Sequence, residues 1–302
     1  MSEVRRLVSV IVPCFEDRRL AACLAALDVQ ELPDGTDLEV LVVDNGSRVS
    51  PREVVAAHAN SRLLVELRPG SYAARNTGIA GASGSIIAFT DSDCRPHPRW
   101  LFAALRRLDS DSDVDAVAGL VANVVDGEGP YTPAQWWDLL EAFPQERYVR
   151  QGFGVTANLV VRRSAGDSVG WFDADAVSGG DAIFGKALTA QGFHLVYEAT
   201  AIVDHPARST WDELIGKARR TAKGWARLEH QRGRTLPELG RAMAWHGVEA
   251  GRTVKKAATS TDLPDTRARG RYLVAGLAYR AVVVGSSLRW EVAYRRQGHR
   301  PA

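Results

Sequence analysis

Cysteine is scarce: 3 occur in 302 residues, Cys14, Cys23 and Cys94. An odd number without metal-ligand spacing fits free thiols in a reducing cytoplasm better than a disulfide framework. No basic segment followed by a long apolar stretch opens the chain, so no signal peptide is expected. Uncharged apolar runs of about 18 residues are also missing. The nearest, "YLVAGLAYRAVVVGSSLRW" (272–290), is broken by Arg280, so no spanning helix is expected. Glycine-rich phosphate loops of the GxxxxGK[ST] and GxGxxG types are absent, and phosphate is not expected to rest on a helix N-terminus. RRM, KH and zinc patterns are absent too, so nucleic acid is not an expected partner. Neither internal repeats nor low-complexity tracts occur.

What remains is an ordinary globular composition, 45% hydrophobic and 25% charged, enough for one or two domains. The net charge of +2 hides an asymmetry. Residues 205–302 hold 20 Lys+Arg against 8 Asp+Glu, and the rest of the chain holds 18 against 28. A split of this kind suggests a face that meets an anion, with solvated helix faces as the alternative.

Strand and helix signals alternate through the first half. "RLVSVIVPC" (6–14) is nearly all apolar, as a strand buried on both faces must be. "RLAACLAALDV" (19–29) has helical spacing, and "LEVLVVDNGS" (38–47) is a strand running into a turn. "PREVVAAHA" (51–59) predicts a helix with Ser50 as N-cap. "RLLVEL" (62–67) and "SIIAFTD" (85–91) are strands around a helix at 72–82. "PRWLFAALRRL" (98–108) is a further helix and "VDAVAGLVANVV" (114–125) a further strand. This alternation predicts an α/β fold with a mostly parallel sheet flanked by helices.

In such sheets ligands bind beyond the carboxyl ends of the strands. Three polar clusters are placed there: Phe15-Glu16-Asp17, Asp44-Asn45-Gly46-Ser47 and Asp91-Ser92-Asp93. Asp91 and Asp93 repel each other, and desolvation sharpens the conflict. A divalent cation such as Mg²⁺ or Mn²⁺, bridging carboxylates to substrate phosphates, removes it. A turn, or an N-cap for the helix at 98–108, is the plainer alternative.

Five blocks in order resemble glycosyltransferase family 2. They are "VSVIVPCFED", "LEVLVVDNGS", "YAARNTGIAGASGSIIAFTDSDC", "GVTANLVVRRSAGDSVGWFDA" and "SGGDAIFGKALTAQGFHLVYEATAIVDH". The resemblance spans about residues 7–206. It implies a GT-A fold of Rossmann-like character and a metal-dependent, inverting transfer of sugar from a nucleoside diphosphate (UDP-, dTDP- or GDP-sugar) to an acceptor. Pro13, Phe15 and Glu16 then fall on the loop lining the nucleotide pocket. Asp44 falls where an aspartate accepts from the base's imide N–H. Arg75 lies on the helix facing the nucleotide. Asp91, Ser92 and Asp93 match the DxD motif that holds ribose and the diphosphate-bound Mn²⁺ or Mg²⁺. His205 matches a late histidine that completes the metal shell. Asp181 matches the last acid of the family's Glu-Asp pair, the general base.

The plainer alternatives are a turn cap for Asp44, a surface ion pair for Arg75, a strand-end histidine for His205 and an N-cap for Asp181. Cys94 adjoins the acids and reads as a small apolar filler.

The chain also departs from the family. The Glu-Asp pair is here Gly180-Asp181, the first loop reads "CFED", and no Gln-x-x-Arg-Trp motif marks a processive polysaccharide synthase. A nucleotide-sugar-binding or nucleotidyltransferase-like protein without glycosyl transfer is the alternative function. Two domains are expected: a catalytic domain over 1–206 and a basic helical region over 207–302. Helices are expected at 210–231, carrying Trp211 and Trp225, and at 236–258. That region is expected to pack on the catalytic domain, form a homodimer, or lie on anionic lipid at the inner face of the membrane. The acceptor class stays open among lipid, glycan, peptide and small metabolite.

Overall fold

The computed structural model describes residues 5–296. The chain divides into two compact units. The first comprises the chain up to Val124 with Phe143–Ala176 and Gly180–Pro206; the second comprises Val125–Ala142, Val177–Gly179 and the chain from Ala207 onward.

The first unit holds one eight-stranded sheet. Its strands are β1 (Arg6–Cys14), β2 (Thr36–Asp44), β3 (Ser61–Val65), β4 (Ile86–Phe89), β5 (Arg95–Pro96), β6 (Val114–Val124), β7 (Leu159–Arg162) and β8 (His194–Pro206). The helices, in chain order, are α1 (Leu20–Asp28), α2 (Arg52–Ala56), α3 (Ser71–Gly81) and α4 (Trp100–Asp109), then α5 (Pro133–Glu141) of the second unit, then α6 (Gln145–Arg150), α7 (Arg163–Val169) and α8 (Gly180–Ala190). The spatial strand order is β3-β2-β1-β4-β7-β6-β8-β5.

β1 explains why its sequence is apolar throughout. Val8, Val10, Val12 and Cys14 join a core layer with Leu24, Trp100 and Leu105. Ile11 points the other way, into a layer with Phe89, Phe172 and Phe184. Period-2 alternation with both faces covered leaves no polar side to the strand.

β1, β2, β3 and β4 pair in parallel, as the alternating pattern predicts. β7 then runs antiparallel to both β4 and β6. A four-residue apolar run reads the same in either direction, so this reversal leaves no trace in the sequence. Two successive reversals restore the original direction for β6, and β8 pairs parallel to β6. The carboxyl ends of β1, β2, β4 and β8 therefore share one edge. The short β5 folds back antiparallel along β8, pairing Arg95 with Asp204. It thereby presses the segment after β4 against the end of β8.

One helix differs from the sequence reading, and one buried polar residue was not anticipated by it. The helix expected over 51–59 is a five-residue turn, and its N-cap is Pro51, without a capping bond from Ser50. Asn158, a polar residue in an apolar stretch, is fully buried. Its amide donates to the Leu120 and Ala201 carbonyls, each at 2.8 Å, and its oxygen accepts from Trp100 Nε1 at 2.7 Å. Gly119 makes room for it: a Cβ there would stand 2.5 Å from the amide nitrogen.

The second unit is helical. α5 packs with α9 (Trp211–Gln231), α10 (Leu236–Thr259) and α11 (Thr266–Arg296). Capping boxes start α5 at Thr132 and Gln135, and α9 at Thr210 and Glu213. Trp137, Leu214, Tyr272 and Ala275 form its core. Inside it, the buried Asp138 holds Arg208 at 2.7 Å and Lys217 at 3.6 Å. Burial, with Arg208 nearby, lowers the Lys217 pKa to about 8. No helix is long and apolar enough to cross a membrane among the described residues.

Asn158→Ala would leave two carbonyls and an indole N–H buried and unpaired. We expect a loss of about 3 kcal/mol or more in unfolding free energy, read by urea titration.

Candidate active site

The site is built at the shared strand edge of the first unit. After β4 the chain turns sharply, with the Cys94 N–H bonded to the Asp91 carbonyl at 3.0 Å. This turn aims two carboxylates at the end of β8. Ligand atoms of Asp91, Asp93, Cys94 and His205 all lie within 4.8 Å of one another. His205 is buried. Its Nδ1 lies 2.9 Å from the Pro206 carbonyl, which can only accept, so Nδ1 carries the proton. Nε2 faces Asp93 at 3.8 Å. The ring rests on Phe143, with centroids 4.6 Å apart.

Two carboxylates this close, partly withdrawn from water, repel each other unless positive charge lies beside them. Burial pushes the Asp93 carboxyl upward, the neighbouring His205 opposes this, and Asp91 adds to it. Oxygen ligands with one neutral imidazole suit Mn²⁺ or Mg²⁺. Asp91, Asp93 and His205 therefore fit such an ion by their chemistry. Burial, with Asp91 and Asp93 nearby, holds the Cys94 thiol well above its usual range. It packs in the core under the turn, as the filler reading expects.

Arg75 lies on α3 and is almost completely buried. One guanidinium nitrogen bonds Asp91, while its Nε has no partner among the described residues. An orphaned, buried N–H is uncommon and calls for a partner. The guanidinium also lies over the Tyr72 ring at 5.5 Å. The surface ion-pair reading of Arg75 is thus excluded by its burial.

Asp181 sits in the first turn of α8, one residue inside the helix. Tyr72 holds it twice: the hydroxyl donates to Oδ1 and accepts from the Asp181 N–H, both at 3.3 Å. Burial raises the Asp181 carboxyl above the ordinary range, and the Arg75 charge opposes that rise. Gly180 has a steric cause. A Cβ there would stand 2.8 Å from the Tyr72 ring. Asn76 ties the preceding segment to α3 by exchanging bonds with Phe172 at 2.8 and 3.3 Å.

The remaining sequence candidates take other places. Asp44, buried at the end of β2, pairs in register with Cys14 and accepts from the Ser47 N–H at 2.9 Å, so it does cap its turn. Ser92 is buried and bonds Asp17 at 3.3 Å. Pro13 is buried within β1, Phe15 is exposed, and Glu16 is exposed and paired with Arg48 at 2.6 Å.

Arg19 and Tyr72 were not among the sequence candidates, and Asp17 was named only as part of its polar cluster. Arg19 binds Asp17 at 2.9 Å and reaches Asp93 at 3.4 Å. Tyr72 was detectable from its i, i+3 spacing to Arg75 on a helix, which places both on one face.

The glycosyl transferase family 2 profile matches residues 9–151. Glycosyltransferase AglE of Haloferax volcanii is 37% identical over 231 residues, 74% of each chain. A pre-mycofactocin glycosyltransferase of Mycobacterium tuberculosis is 33% identical over 190 residues, covering 60% of this chain and 40% of that one. Among solved structures, a mannosyltransferase from Pyrobaculum calidifontis in complex with GDP-Man and Mn²⁺ superposes with a TM-score of 0.56 at 18% identity, over 99% of this chain and 78% of that one. The UDP-GlcNAc complex of S. aureus TarS gives 0.52 at 15%, over 96% and 92%.

Asp93→Ala should lower Mn²⁺ affinity at least about tenfold, measured by electron paramagnetic resonance titration, whereas Cys94→Ser should retain it.

Proposed function

The chain belongs to glycosyltransferase family 2 and has the GT-A fold, and from that premise we propose that it moves a sugar from a nucleoside-diphosphate donor to an acceptor by a single inverting displacement that depends on a divalent metal. One observation carries this reading. The buried Arg75 bonds Asp91 of the metal-suited cluster and lies over Tyr72, the residue that holds Asp181. Donor-binding and base candidates thus belong to one electrostatic network.

Each group has a role in this proposal. Asp91, Asp93 and His205 would hold Mn²⁺ or Mg²⁺, which would supply positive charge to neutralise the diphosphate. The Arg75 Nε–H, kept unpaired and dry, donates to the departing phosphate oxygens, where charge grows in the transition state. Asp44 accepts from the base's imide N–H with the carboxylate oxygen its turn does not use. Asp181 takes the proton from the acceptor hydroxyl on the face opposite the leaving group. Its raised pKa makes it a stronger base than an ordinary aspartate, and Tyr72 fixes its direction.

The donors named in the two solved complexes, GDP-Man and UDP-GlcNAc, belong to the donor class proposed here. Screening UDP-, GDP- and dTDP-sugars with Mn²⁺ or Mg²⁺ for donor hydrolysis tests the reading. No turnover with any donor, alongside tight donor binding, would favour a binding protein instead.

Asp181→Asn should reduce turnover by ~10²–10⁴-fold while donor affinity, read by calorimetry, holds. The base works deprotonated, so the rate should fall as pH drops through the raised Asp181 pKa. Tyr72→Phe removes a hydrogen bond that favours the charged carboxylate. Its acidic limb should therefore move to higher pH, with donor KM unchanged; an unshifted limb would deny Tyr72 this role.

A further inference from the structure

Arg19 touches the metal-suited cluster and has no role in the reaction proposed above. It directly precedes α1 and is held there by Asp17. The Arg19 backbone N–H donates to Asp17 Oδ1 at 2.9 Å, Nε donates to the same oxygen at 2.9 Å, and Nη2 donates to Oδ2 at 3.0 Å. A carboxylate that takes both prongs of a guanidinium fixes the planar group in place. Asp17 Oδ2 also accepts from the Ser92 hydroxyl at 3.3 Å, which joins this loop to the turn carrying Asp91 and Asp93. From that anchor, Arg19 Nη2 stands 3.4 Å from Asp93 Oδ2.

The oxygen it meets is the decisive one. His205 Nε2 faces the same Asp93 Oδ2, at 3.8 Å. An ion held by Asp91, Asp93 and His205 would therefore have to share Asp93 with Arg19. The Arg19 side chain is 54% exposed and that of Asp93 20%, so the guanidinium lies on the solvent side of the carboxylate. Two cations at one carboxylate repel each other. Arg19 cannot relieve the conflict by losing its proton, because a guanidinium stays charged in proteins. Nor does it swing clear, since Asp17 keeps it beside the site. The conflict ends when an anion touches both cations. A diphosphate has oxygens enough for both, and the guanidinium fork matches phosphate.

We propose that Arg19 occupies the solvent side of Asp93 in the metal-free site and makes divalent metal and nucleoside diphosphate bind cooperatively. Metal alone meets the Arg19 charge. Diphosphate alone meets the carboxylates. Each ligand removes the obstacle to the other, and linkage makes the coupling equal in both directions. The inference rests on the metal and donor reading of the strand edge.

Electron paramagnetic resonance titration of the full chain with Mn²⁺, alone and with UDP, GDP or dTDP, tests it. In the wild-type chain at least one of the three nucleotides should tighten Mn²⁺ binding, after the ion complexed by free nucleotide is subtracted. Arg19→Gln should bind Mn²⁺ alone about fivefold more tightly and lose a similar factor of the nucleotide's enhancement. Arg19→Lys keeps the charge and should behave as wild type. Arg5→Gln removes an exposed cation at the opposite end of β1, paired with Asp37, and should change neither quantity. Urea titration verifies that each variant is folded. A merely structural role would weaken metal and nucleotide binding together in Arg19→Gln, and that result overturns the proposal. It is also overturned if Arg19→Gln binds Mn²⁺ alone no more tightly than wild type, or if the nucleotide's enhancement survives the substitution in full. Where Asp93→Ala still lowers Mn²⁺ affinity, such a result removes only the role of Arg19 and leaves the metal reading standing. Mn²⁺ binding by neither wild type nor Arg19→Gln would remove both.

Discussion

The crowding of like charge at one strand edge is the constraint on which the site depends. Asp17, Asp91, Asp93 and Asp181 act on one another there, against the guanidinium groups of Arg19 and Arg75. Four carboxylates against two fixed cations leave an excess close to that of one dication. Desolvation makes the excess costly, as the upward shifts of Asp93 and Asp181 register. The fold tolerates the cost because the acids sit on turns and a helix start anchored by fully buried strands. A site that binds a cation and a diphosphate in turn needs such a standing imbalance, since a fully paired cluster would have no affinity left.

Much of this was legible before any coordinates. The apolar continuity of residues 6–14 and 38–44 gave the buried parallel strands, and the polar residues following them gave the rim. Asp91, Asp93, Arg75, Asp181 and His205 do lie close together. What escaped was direction and distance. Nothing in "NLVVR" (158–162) reports that β7 runs backwards, yet that reversal is what lets β8 deliver His205 to the rim. The burial of Arg75 and the reach of Arg19 across to Asp93 are consequences of packing between segments far apart in the chain.

The departure at Gly180 illustrates how a local oddity resolves into packing. Gly180 stands where the resemblance implies the first acid of a pair, and the Tyr72 ring fills the space that a Cβ there would enter. The exchange is chemically coherent. A second carboxylate would have added repulsion to a cluster already in excess, and a phenol adds a neutral hydrogen-bond donor. Burial drives the Tyr72 hydroxyl away from ionisation, so it remains a donor to Asp181.

Asp181 also sets two general effects against each other. In the first turn of α8 the helix dipole favours the carboxylate, by about 0.3–1 kcal/mol, which is less than one pKa unit. Desolvation of a carboxyl can amount to several units. The net shift is upward, so burial, with Asp91 adding to it, outweighs the Arg75 charge, the Ala182 N–H bond and the Tyr72 hydroxyl together. A strand-edge aspartate left in water would stay an ordinary weak base. Enclosure beneath Tyr72, with part of its surface still open, gives Asp181 the raised basicity that its proposed role as general base would use.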